Sequence, residues 1–558
     1  MTLKDHRRGT DRRTFITTSA ALGAAFLTGC AGSANPPQVP TGPCAGSSPN
    51  SFPAADLEEL TISDLQGRLG NRQESSRSLV EKYIARIDAM NAKGPELRAV
   101  LELNPDALEI ADKLDRERAA KGPRSALHGI PILLKDNIDT ADKMTTTAGS
   151  LALSGSIPAK DSTVAARLRE AGAILLGKTN MSEWANFRSN RSSSGWSSRG
   201  GQCRNPYALD RTPIGSSSGS GSAIAANLAA AAIGTETDGS IVCPSYACSL
   251  VGIKPTVGLV SRAGIIPISS TQDTAGPMAR TVRDAAILLG ALVGADSRDS
   301  MSAEGVKHGL RDYTQFLGRE GTRGLRIGVV REGLFGRNSR IDAVIESALK
   351  DLKYLGMEVI DAPELPKMDE LEKSEWEVLL YEFKATLNAY LAGLSERTQV
   401  KTLTELIAWN DKHRDEVMPY FGQELFIDAE KKGDLTSKEY VDALARCREL
   451  SRTKGLDSVL DGQKLDALVA PTGSLPWLID MLNGDSFGFA ASMAPAVAGY
   501  PHITVPAGYS AGLPVGISFI GRPWSEPLLL RIAFAYEQAT KARRAPRFLP
   551  TADVSTPR

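Results

Sequence analysis

The stretch that decides the fold runs from residue 213 to residue 240 and reads PIGSSSGSGSAIAANLAAAAIGTETDGS. Glycine and serine crowd both of its ends, while its middle, Ala223 to Ile233, is rich in alanine and predicts a buried helix. Glycine-rich turns that flank a helix leave backbone N–H groups free to point at an anion. A flexible linker would not enclose such a helix, so the chemistry of the protein is expected in this stretch.

Short apolar runs on both sides of this stretch predict a sheet. They alternate with helical patterns, and several are too continuously apolar for an edge strand. These runs are Ile130 to Leu134, Ala173 to Leu176, Leu325 to Val330, Leu465 to Val469 and Val515 to Ile520. The spacing of apolar residues predicts helices from Leu57 to Ala120 and a charged helical elaboration over residues 365–460. The predicted fold class is α/β, with one large and mostly covered sheet.

The first 29 residues predict an export signal that is not part of the fold. A charged stretch ending in Arg12-Arg13 precedes a small and apolar run, Thr17 to Gly29, which is too short to span a bilayer. The arginine pair resembles a twin-arginine signal. Leu27 to Cys30 resembles a lipobox, in which the cysteine is lipidated. The alternative is a disordered basic tail with a chance cysteine.

Residues 30–53 are rich in proline, glycine, serine and alanine, and predict a flexible tether between Cys30 and the folded domain. We therefore expect an exported protein of the periplasm or cell envelope, attached to the membrane through lipidated Cys30. The domain proper is expected over residues 54–558.

Composition excludes several other classes of protein. Of 558 residues, 42% are hydrophobic and 23% are charged, as in soluble globular proteins. Lysine plus arginine and aspartate plus glutamate each number 65, so no basic field exists to bind nucleic acid. The six cysteines show no CxxC spacing and the five histidines no metal-ligand spacing, so no metal is expected. Cys243 and Cys248 are expected as buried free thiols, with a disulfide as the alternative.

Several motifs together resemble the amidase signature family of hydrolases. A lysine follows an apolar strand in GIPILLKDN (residues 129–137), the serine-rich loop comes next, and a Gly-Ser pair follows the predicted helix. Further matching stretches are Thr146 to Ser150, Gly177 to Glu183, Gly252 to Thr256 and Asp273 to Pro277. The resemblance covers nearly all of residues 57–545, and bacterial peptide amidases are the most similar branch. It implies a single large α/β domain, with a mixed and twisted sheet covered by helices on both faces.

By this resemblance Lys135 is the base, Ser216 the bridging serine and Ser240 the nucleophile of a catalytic triad. The backbone N–H groups implied as the oxyanion hole are those of Thr237, Asp238 and Gly239, together with Ser240 itself. A lysine acts as a base only when it is neutral, which requires its pKa to fall by roughly 3 units, and burial can supply such a shift. Lys135 directly follows the apolar run at Ile130 to Leu134, a position that favours burial.

The chain departs from the family pattern at two points. Ile214 stands where the serine loop more often begins with glycine, and Asp238 stands where the nucleophile is often preceded by a second glycine. Neither change removes a reacting group. A carboxylate beside the nucleophile, like the stretch from Gly234 to Pro277, resembles peptide amidases and favours peptide or aryl amides as substrates.

A competing motif is present in the same loop. Gly215 to Gly219 satisfies G-x-S-x-G, the nucleophile elbow of α/β-hydrolases, and His502 lies downstream where a triad histidine could be. An elbow needs an apolar strand before it, whereas residues 205–213 contain two prolines and two charges. The sequence therefore favours the lysine-based site.

The resemblance implies a serine hydrolase of carboxylic amides, which forms an acyl-enzyme and releases an acid plus ammonia or an amine. No cofactor is implied. The expected partner is a small-molecule or peptide amide, and C-terminal amides of peptides are the preferred substrate class. The alternatives are an aryl acylamidase and, in another class, a lipoprotein binding module that has lost its chemistry. The oligomeric state is not determined by the sequence.

Overall fold

An eleven-stranded sheet forms the centre of the described part of the chain. The computed structural model describes residues 52–318, 320–365, 367–396 and 398–555. Its strands are β1 (Val100–Leu103), β2 (Pro131–Lys135), β3 (Ile174–Thr179), β4 (Trp196–Ser197), β5 (Gly201–Gln202), β6 (Ala231–Glu236), β7 (Val251–Lys254), β8 (Thr274–Ala279), β9 (Arg326–Val329), β10 (Glu358–Asp361), β11 (Ala467–Pro471), β12 (His502–Ser510) and β13 (Leu513–Ile520). The order across the sheet is β1-β3-β2-β6-β8-β7-β12-β13-β11-β9-β10, and β4 pairs with β5 separately.

Helices surround this sheet. They are α1 (Ile62–Gly70), α2 (Ser76–Met90), α3 (Ala107–Lys121), α4 (Thr163–Glu170), α5 (Ser218–Ala225), α6 (Val242–Ala247), α7 (Val282–Leu292), α8 (Ser302–His308), α9 (Ser339–Tyr354), α10 (Met368–Ala392), α11 (Leu403–Lys412), α12 (Arg414–Val417), α13 (Glu424–Glu430), α14 (Lys438–Arg448), α15 (Asp457–Gly462), α16 (Met493–Ala498) and α17 (Glu526–Thr540). Among these residues no helix is long and apolar enough to cross a membrane.

The sheet is mixed, as the family resemblance implies. β2 is parallel to β3 and β6, and β9 is parallel to β10 and β11, while the other neighbours are antiparallel. Every residue of β2, β3, β6, β8 and β13 is buried. Because successive side chains of a strand point to opposite faces, burial at every position means that both faces are covered. The predicted α/β fold in one large domain is confirmed.

Each of the five apolar runs overlaps a strand, but two predicted helical stretches are wrong in part. The alanine-rich helix ends at Ala225, and Asn227 adopts a left-handed φ of +59°. The chain then returns as β6, whose Ala231 and Ile233 pair with β2. Alanine favours a helix and is depleted in strands, so pairing with the neighbouring strands overrides the local preference here. The predicted helical region from Leu57 to Ala120 likewise contains the short strand β1.

The predicted helical elaboration over residues 365–460 is confirmed, since α10 to α14 lie within it. Its longest helix, α10, buries Phe383 in a cluster with Trp184 and Phe426. The same cluster contains Ile266 and Ile268, which belong to a loop beside the candidate site described below. The elaboration therefore covers one side of that site.

The predicted export signal, Cys30 and almost all of the predicted tether lie in residues 1–51, outside the described residues. These predictions are not tested by the fold.

Candidate active site

Lys135 is the last residue of β2, and the strand register places it beside the end of β6. Leu134 pairs with Ile233 in this parallel ladder, so both strands end at the same edge of the sheet. The Nζ atom of Lys135 lies 2.7 Å from the Oγ atom of Ser216. It lies 2.9 Å from the Oγ1 atom of Thr235 and 3.2 Å from the Thr235 carbonyl oxygen. The amine is therefore fixed in place by partners on the loop and on β6.

The environment of Lys135 favours its neutral form. The side chain is fully buried, and this burial lowers the pKa of Lys135 to about 7, against the negative charges of Asp273 and Glu236, which act in the opposite direction. An ordinary lysine is almost entirely charged at neutral pH, whereas about half of a group with this pKa is neutral at pH 7. Lys135 therefore meets the requirement for a base that the sequence could only suggest.

The serine-rich loop carries Ser216 to this amine, with a cis peptide bond between Gly215 and Ser216. Ser217 ties the loop to β6, because its hydroxyl donates to the Thr235 carbonyl at 3.1 Å and accepts the Thr235 N–H at 3.2 Å. The backbone N–H of Ser217 also donates to the Ser240 carbonyl at 3.2 Å. Ser217 thus joins the loop to the segment that carries Ser240, a role that the sequence analysis missed.

The first departure from the family pattern has a conformational consequence. Ile214 is buried and adopts a left-handed φ of +60°, a region that glycine occupies freely and β-branched residues rarely. Its side chain packs in a small apolar cluster with Val242, Tyr246 and Trp477. The isoleucine therefore adds apolar packing behind the serine loop at a position where glycine would be easier for the backbone.

A tight turn over residues 237–240 leads from β6 to α6 and carries Ser240. Gly239 has a φ of +75° in this turn. A Cβ atom at Gly239 would lie 2.9 Å from the Sγ atom of Cys243 and 3.0 Å from the Oγ atom of Ser492. Both the conformation and the space therefore require glycine before Ser240, whereas the preceding position accommodates Asp238. Burial raises the pKa of the Asp238 carboxyl to about 6, although the Ser492 hydroxyl opposes this shift.

Two buried carboxylates contact the segment around this turn. Glu236 accepts the backbone N–H groups of Ile241 and Val242 at its Oε2 atom, at 2.7 and 3.0 Å. Asp273 accepts the hydroxyl of Thr237 at its Oδ1 atom, at 2.6 Å. In the sequence, Asp273 stands only within a matching motif, and no role is predicted for Glu236. The sequence did offer one signal for both residues, since each is an ionisable residue next to an apolar strand.

The helical elaboration also reaches this region. Gln272, next to Asp273, donates to the Oε1 atom of Glu375 in α10 at 2.8 Å. About two helical turns further along α10, Glu382 accepts the hydroxyl of Ser269 at 2.5 Å. α10 therefore holds the loop that carries Asp273.

Ser216 and Ser240 line one narrow cavity. Thr237 also lines this cavity, and the isoleucines at 265, 266 and 268 form an apolar side of it. The structure thus brings together Lys135, Ser216 and Ser240, the three residues expected to form the triad. Of the residues expected to form the oxyanion hole, all lie in the turn that borders this cavity, and Thr237 lines it.

The competing histidine lies elsewhere. His502 is at the start of β12, is fully buried, and its Nε2 atom lies 2.5 Å from the Oγ atom of Ser518. Burial lowers the pKa of His502 to about 3. Among the residues that the structure describes, no hydrogen bond joins His502 to Ser216 or Ser217, so the geometry does not support the α/β-hydrolase interpretation.

Cys243 and Cys248 are both buried and unpaired, as the preferred prediction states. Burial raises the pKa of each thiol well above its usual value. In the residues that the structure describes, no group of three or more histidine, cysteine, aspartate or glutamate side chains could hold a metal ion.

Known amidases are similar to this chain in sequence and in structure. The family model described as Amidase matches residues 78–530. A protein of Arabidopsis thaliana named as a probable amidase is 44% identical over 504 residues, which cover 88% of this chain and 92% of the relative.

Two solved structures are similar along nearly their whole length. The native peptide amidase from Stenotrophomonas maltophilia is 49% identical with a TM-score of 0.84, covering 89% of this chain and 100% of that one. A peptide amidase in complex with the competitive inhibitor chymostatin is 50% identical with a TM-score of 0.85, covering 88% of this chain and 99% of that one.

Proposed function

Because this chain belongs to the amidase signature family, we propose that it hydrolyses carboxylic amides with Lys135 as base, Ser216 as proton relay and Ser240 as nucleophile. The family assignment makes the protein an amidohydrolase, and the roles of the three residues are the finer proposal. One observation carries it: the fully buried amine of Lys135 lies 2.7 Å from the Ser216 hydroxyl, in a site where Ser216 and Ser240 line one cavity.

In the first step the neutral amine of Lys135 takes the hydroxyl proton of Ser216, while the Oγ atom of Ser216 takes the hydroxyl proton of Ser240. The Ser240 oxygen forms a bond to the carbonyl carbon of the amide, and the carbonyl electron pair moves onto oxygen. Backbone N–H groups of residues 237–240 stabilise this oxyanion.

When the tetrahedral intermediate collapses, the bond between carbon and nitrogen breaks. The proton returns from Lys135 through Ser216 to the leaving nitrogen, which departs as ammonia or an amine. The product is an ester of the acyl group with Ser240. Water then adds to this ester by the same proton path, and the acid is released with the Ser240 hydroxyl restored.

We propose the C-terminal carboxamide of a peptide as the substrate class. Two features support this choice: the 49% identity to a solved peptide amidase over its whole length, and the isoleucine-lined side of the cavity, which suits a neutral group. α10 and its neighbours cover one side of the site, and a covered site admits a chain end more easily than a continuous chain. Internal peptide bonds should therefore resist cleavage.

The remaining alternatives differ in what the purified protein does. An aryl acylamidase hydrolyses anilides and leaves peptide amides unchanged. A binding module hydrolyses neither. The presence of Lys135, Ser216 and Ser240 in one buried constellation favours an enzyme, since a protein that has lost its chemistry has no need of all three.

We further propose that the protein is exported and anchored to the membrane by lipidation at Cys30. The support is the sequence alone, namely Arg12-Arg13, the apolar run to Gly29 and the residues Leu27 to Cys30.

Mass spectrometry of a C-terminally amidated peptide tests the proposed reaction. Incubation with the enzyme should add about one mass unit, the difference between NH₂ and OH, as acyl transfer to water requires. The Ser240→Ala variant is the control and should leave the peptide unchanged. Internal fragments would contradict the proposed substrate class, and an unchanged peptide beside a hydrolysed anilide would assign an aryl acylamidase.

A further inference from the structure

We propose that Glu236 and Asp273 are positioning residues of the reaction, which hold the two ends of the turn that carries Ser240 and place negative charge beside Lys135. This inference rests on the proposed function, because it concerns the same turn and the same base. Both residues line the cavity that Ser216 and Ser240 share, but neither takes or gives a proton in the proposed mechanism. They act through the turn and through Lys135.

Glu236 holds the far end of the turn. It is the last residue of β6 and is 1% exposed. Its Oε2 atom accepts the N–H groups of Ile241 and Val242, the two residues that follow Ser240. First-turn N–H groups of a helix have no partner within the helix, so the carboxylate both satisfies them and fixes where α6 begins. These hydrogen bonds therefore fix where Ser240 lies in the site, from its C-terminal side.

Asp273 holds the near end of the turn. Its Oδ1 atom accepts the hydroxyl of Thr237, and its Oδ2 atom accepts the N–H groups of Ile268 and Ser269 at 2.8 and 2.9 Å. Thr237 is therefore tied to the loop that α10 holds through Gln272. The turn lies between a carboxylate on its own strand and a carboxylate on a covering loop.

The charges around Lys135 give these two residues a second effect. Asp273 and Glu236 are the groups whose negative charges raise the pKa of Lys135 against the lowering by burial. Glu236 is faced by Lys254 of β7, and Lys254 is faced in turn by Glu526 of α17 and by Asp238. Asp273 is faced by Arg262.

Because the two negative charges raise the pKa of Lys135, removing either carboxylate should lower this pKa further. The balance between burial and charge matters because a base with too low a pKa accepts protons poorly.

Glutamine can replace Glu236 with little change in shape. The Oε2 atom takes both N–H groups, while the Oε1 atom accepts no hydrogen bond in the described part of the chain. The amide oxygen of glutamine can therefore stay on the two donors, Ile241 and Val242. The Glu236→Gln variant removes the charge and preserves the contact.

The experiment compares the pH dependence of kcat/KM in the full-length wild type and in Glu236→Gln. The acid limb of the variant should move to lower pH by about 0.5 to 1.5 units, because one negative charge near the base is lost. Glu526→Gln is the matched control, since Glu526 is a buried carboxylate that faces Lys254 and not Lys135. Its acid limb should stay in place.

A second variant tests the contact between Asp273 and the turn. Thr237→Val removes the hydroxyl that Asp273 accepts and keeps the side-chain shape, so kcat should fall at least about tenfold, while KM changes little. If Glu236→Gln does not fold, as judged by thermal melting, Asp273→Asn replaces it, because its oxygen can still accept from Ile268 and Ser269 while its NH₂ donates to Thr237.

The outcomes distinguish this inference from the proposed function. A wild type that hydrolyses no amide would remove the proposed function. An active wild type whose acid limb is unmoved in the charge-removing variant, or a Thr237→Val variant with normal kcat, would overturn the inference and leave the proposed function intact.

Discussion

The side-chain amine of Lys135 lies 2.7 Å from the hydroxyl oxygen of Ser216, although 81 positions separate the two residues in the chain. The contact exists because β2 ends beside β6, and because Ser217 holds the serine loop on the Thr235 backbone. A fully buried lysine with a hydroxyl as its neighbour is a costly arrangement for stability. It is the arrangement that amide hydrolysis by a serine without histidine requires.

Alanine at any one of Lys135, Ser216 or Ser240 should lower kcat by several orders of magnitude, because the three side chains form one proton path in the proposed mechanism. Their effects should be far from additive, so that a double variant is little worse than the poorer single variant. Steady-state hydrolysis of a peptide amide, with thermal melting to verify folding, measures this.

The control for those substitutions is Ser220→Ala. Ser220 is in α5, only four residues from Ser216, but its hydroxyl bonds to Thr179 and to the Ile233 carbonyl, so activity should be kept. His502→Ala should also keep most activity. Near-normal turnover in Lys135→Ala together with a dead His502→Ala would favour the nucleophile elbow instead.

The pH dependence of kcat/KM should show an acid limb near pH 7. Lys135 acts only when neutral, and its pKa is lowered to about 7, so activity should rise as the pH increases through that value. A stopped assay from pH 5 to pH 9 measures the limb. A limb near pH 4 to 5, the range of an ordinary carboxyl group, would mean that another group is the base.

Lys135→Met should stabilise the protein while abolishing activity, because it removes a buried ionisable amine. The pKa of Lys135 in the folded protein lies below its ordinary value of 10.5, so the unfolded chain binds more protons between about pH 7 and 10.5, and wild-type stability rises with pH across that window. The gain in the variant should therefore be larger at pH 6 than at pH 9, with a difference on the order of 2 kcal/mol. Urea unfolding at the two pH values measures this difference. An equal or smaller gain in stability at pH 6 would contradict a buried Lys135 with a lowered pKa.

Gly239→Ala should lower kcat more than tenfold, by roughly 1.4 kcal/mol or more in the barrier, because the new Cβ atom meets Cys243 and Ser492 in the turn before Ser240. Gly155→Ala is the matched control. Gly155 has a similar φ of +80° but nothing within 4 Å of the added atom, so only stability should fall, by about 1 kcal/mol. Equal activity in the two variants would show that the turn tolerates displacement.

Cys30→Ala should release the protein from membranes. The lipids attached to a lipobox cysteine contribute about 0.8 kcal/mol per buried CH₂, enough in several chains for stable anchoring. Fractionation of cells that express the wild type and the variant measures this, with Cys44→Ala in the predicted tether as control. Wild-type protein found wholly in the cytosol with Met1 intact would refute export and anchoring together.

Much of the fold followed from local pattern. Runs such as Ile130 to Leu134 are apolar at every position, and only a strand covered on both faces suits them. The alanine-rich segment after the serine loop was harder, because its alanines favour a helix while Ile233 favours a strand. Hydrogen bonds to β2 made that segment a strand, and those bonds join residues about a hundred positions apart, as in Ile132 with Ala231.

The sequence by itself determined which groups are proposed to react and the order in which they occur, since Lys135, Ser216 and Ser240 stand in motifs that resemble those of the family. Only the tertiary structure decided the protonation of Lys135, the role of Ser217 and the placing of Glu236 and Asp273 around the turn. The physical reason is that burial and charge act through space: the Asp273 carboxylate reaches the Thr237 hydroxyl across 36 positions of sequence, and the desolvation that lowers the pKa of Lys135 is a property of everything packed around it.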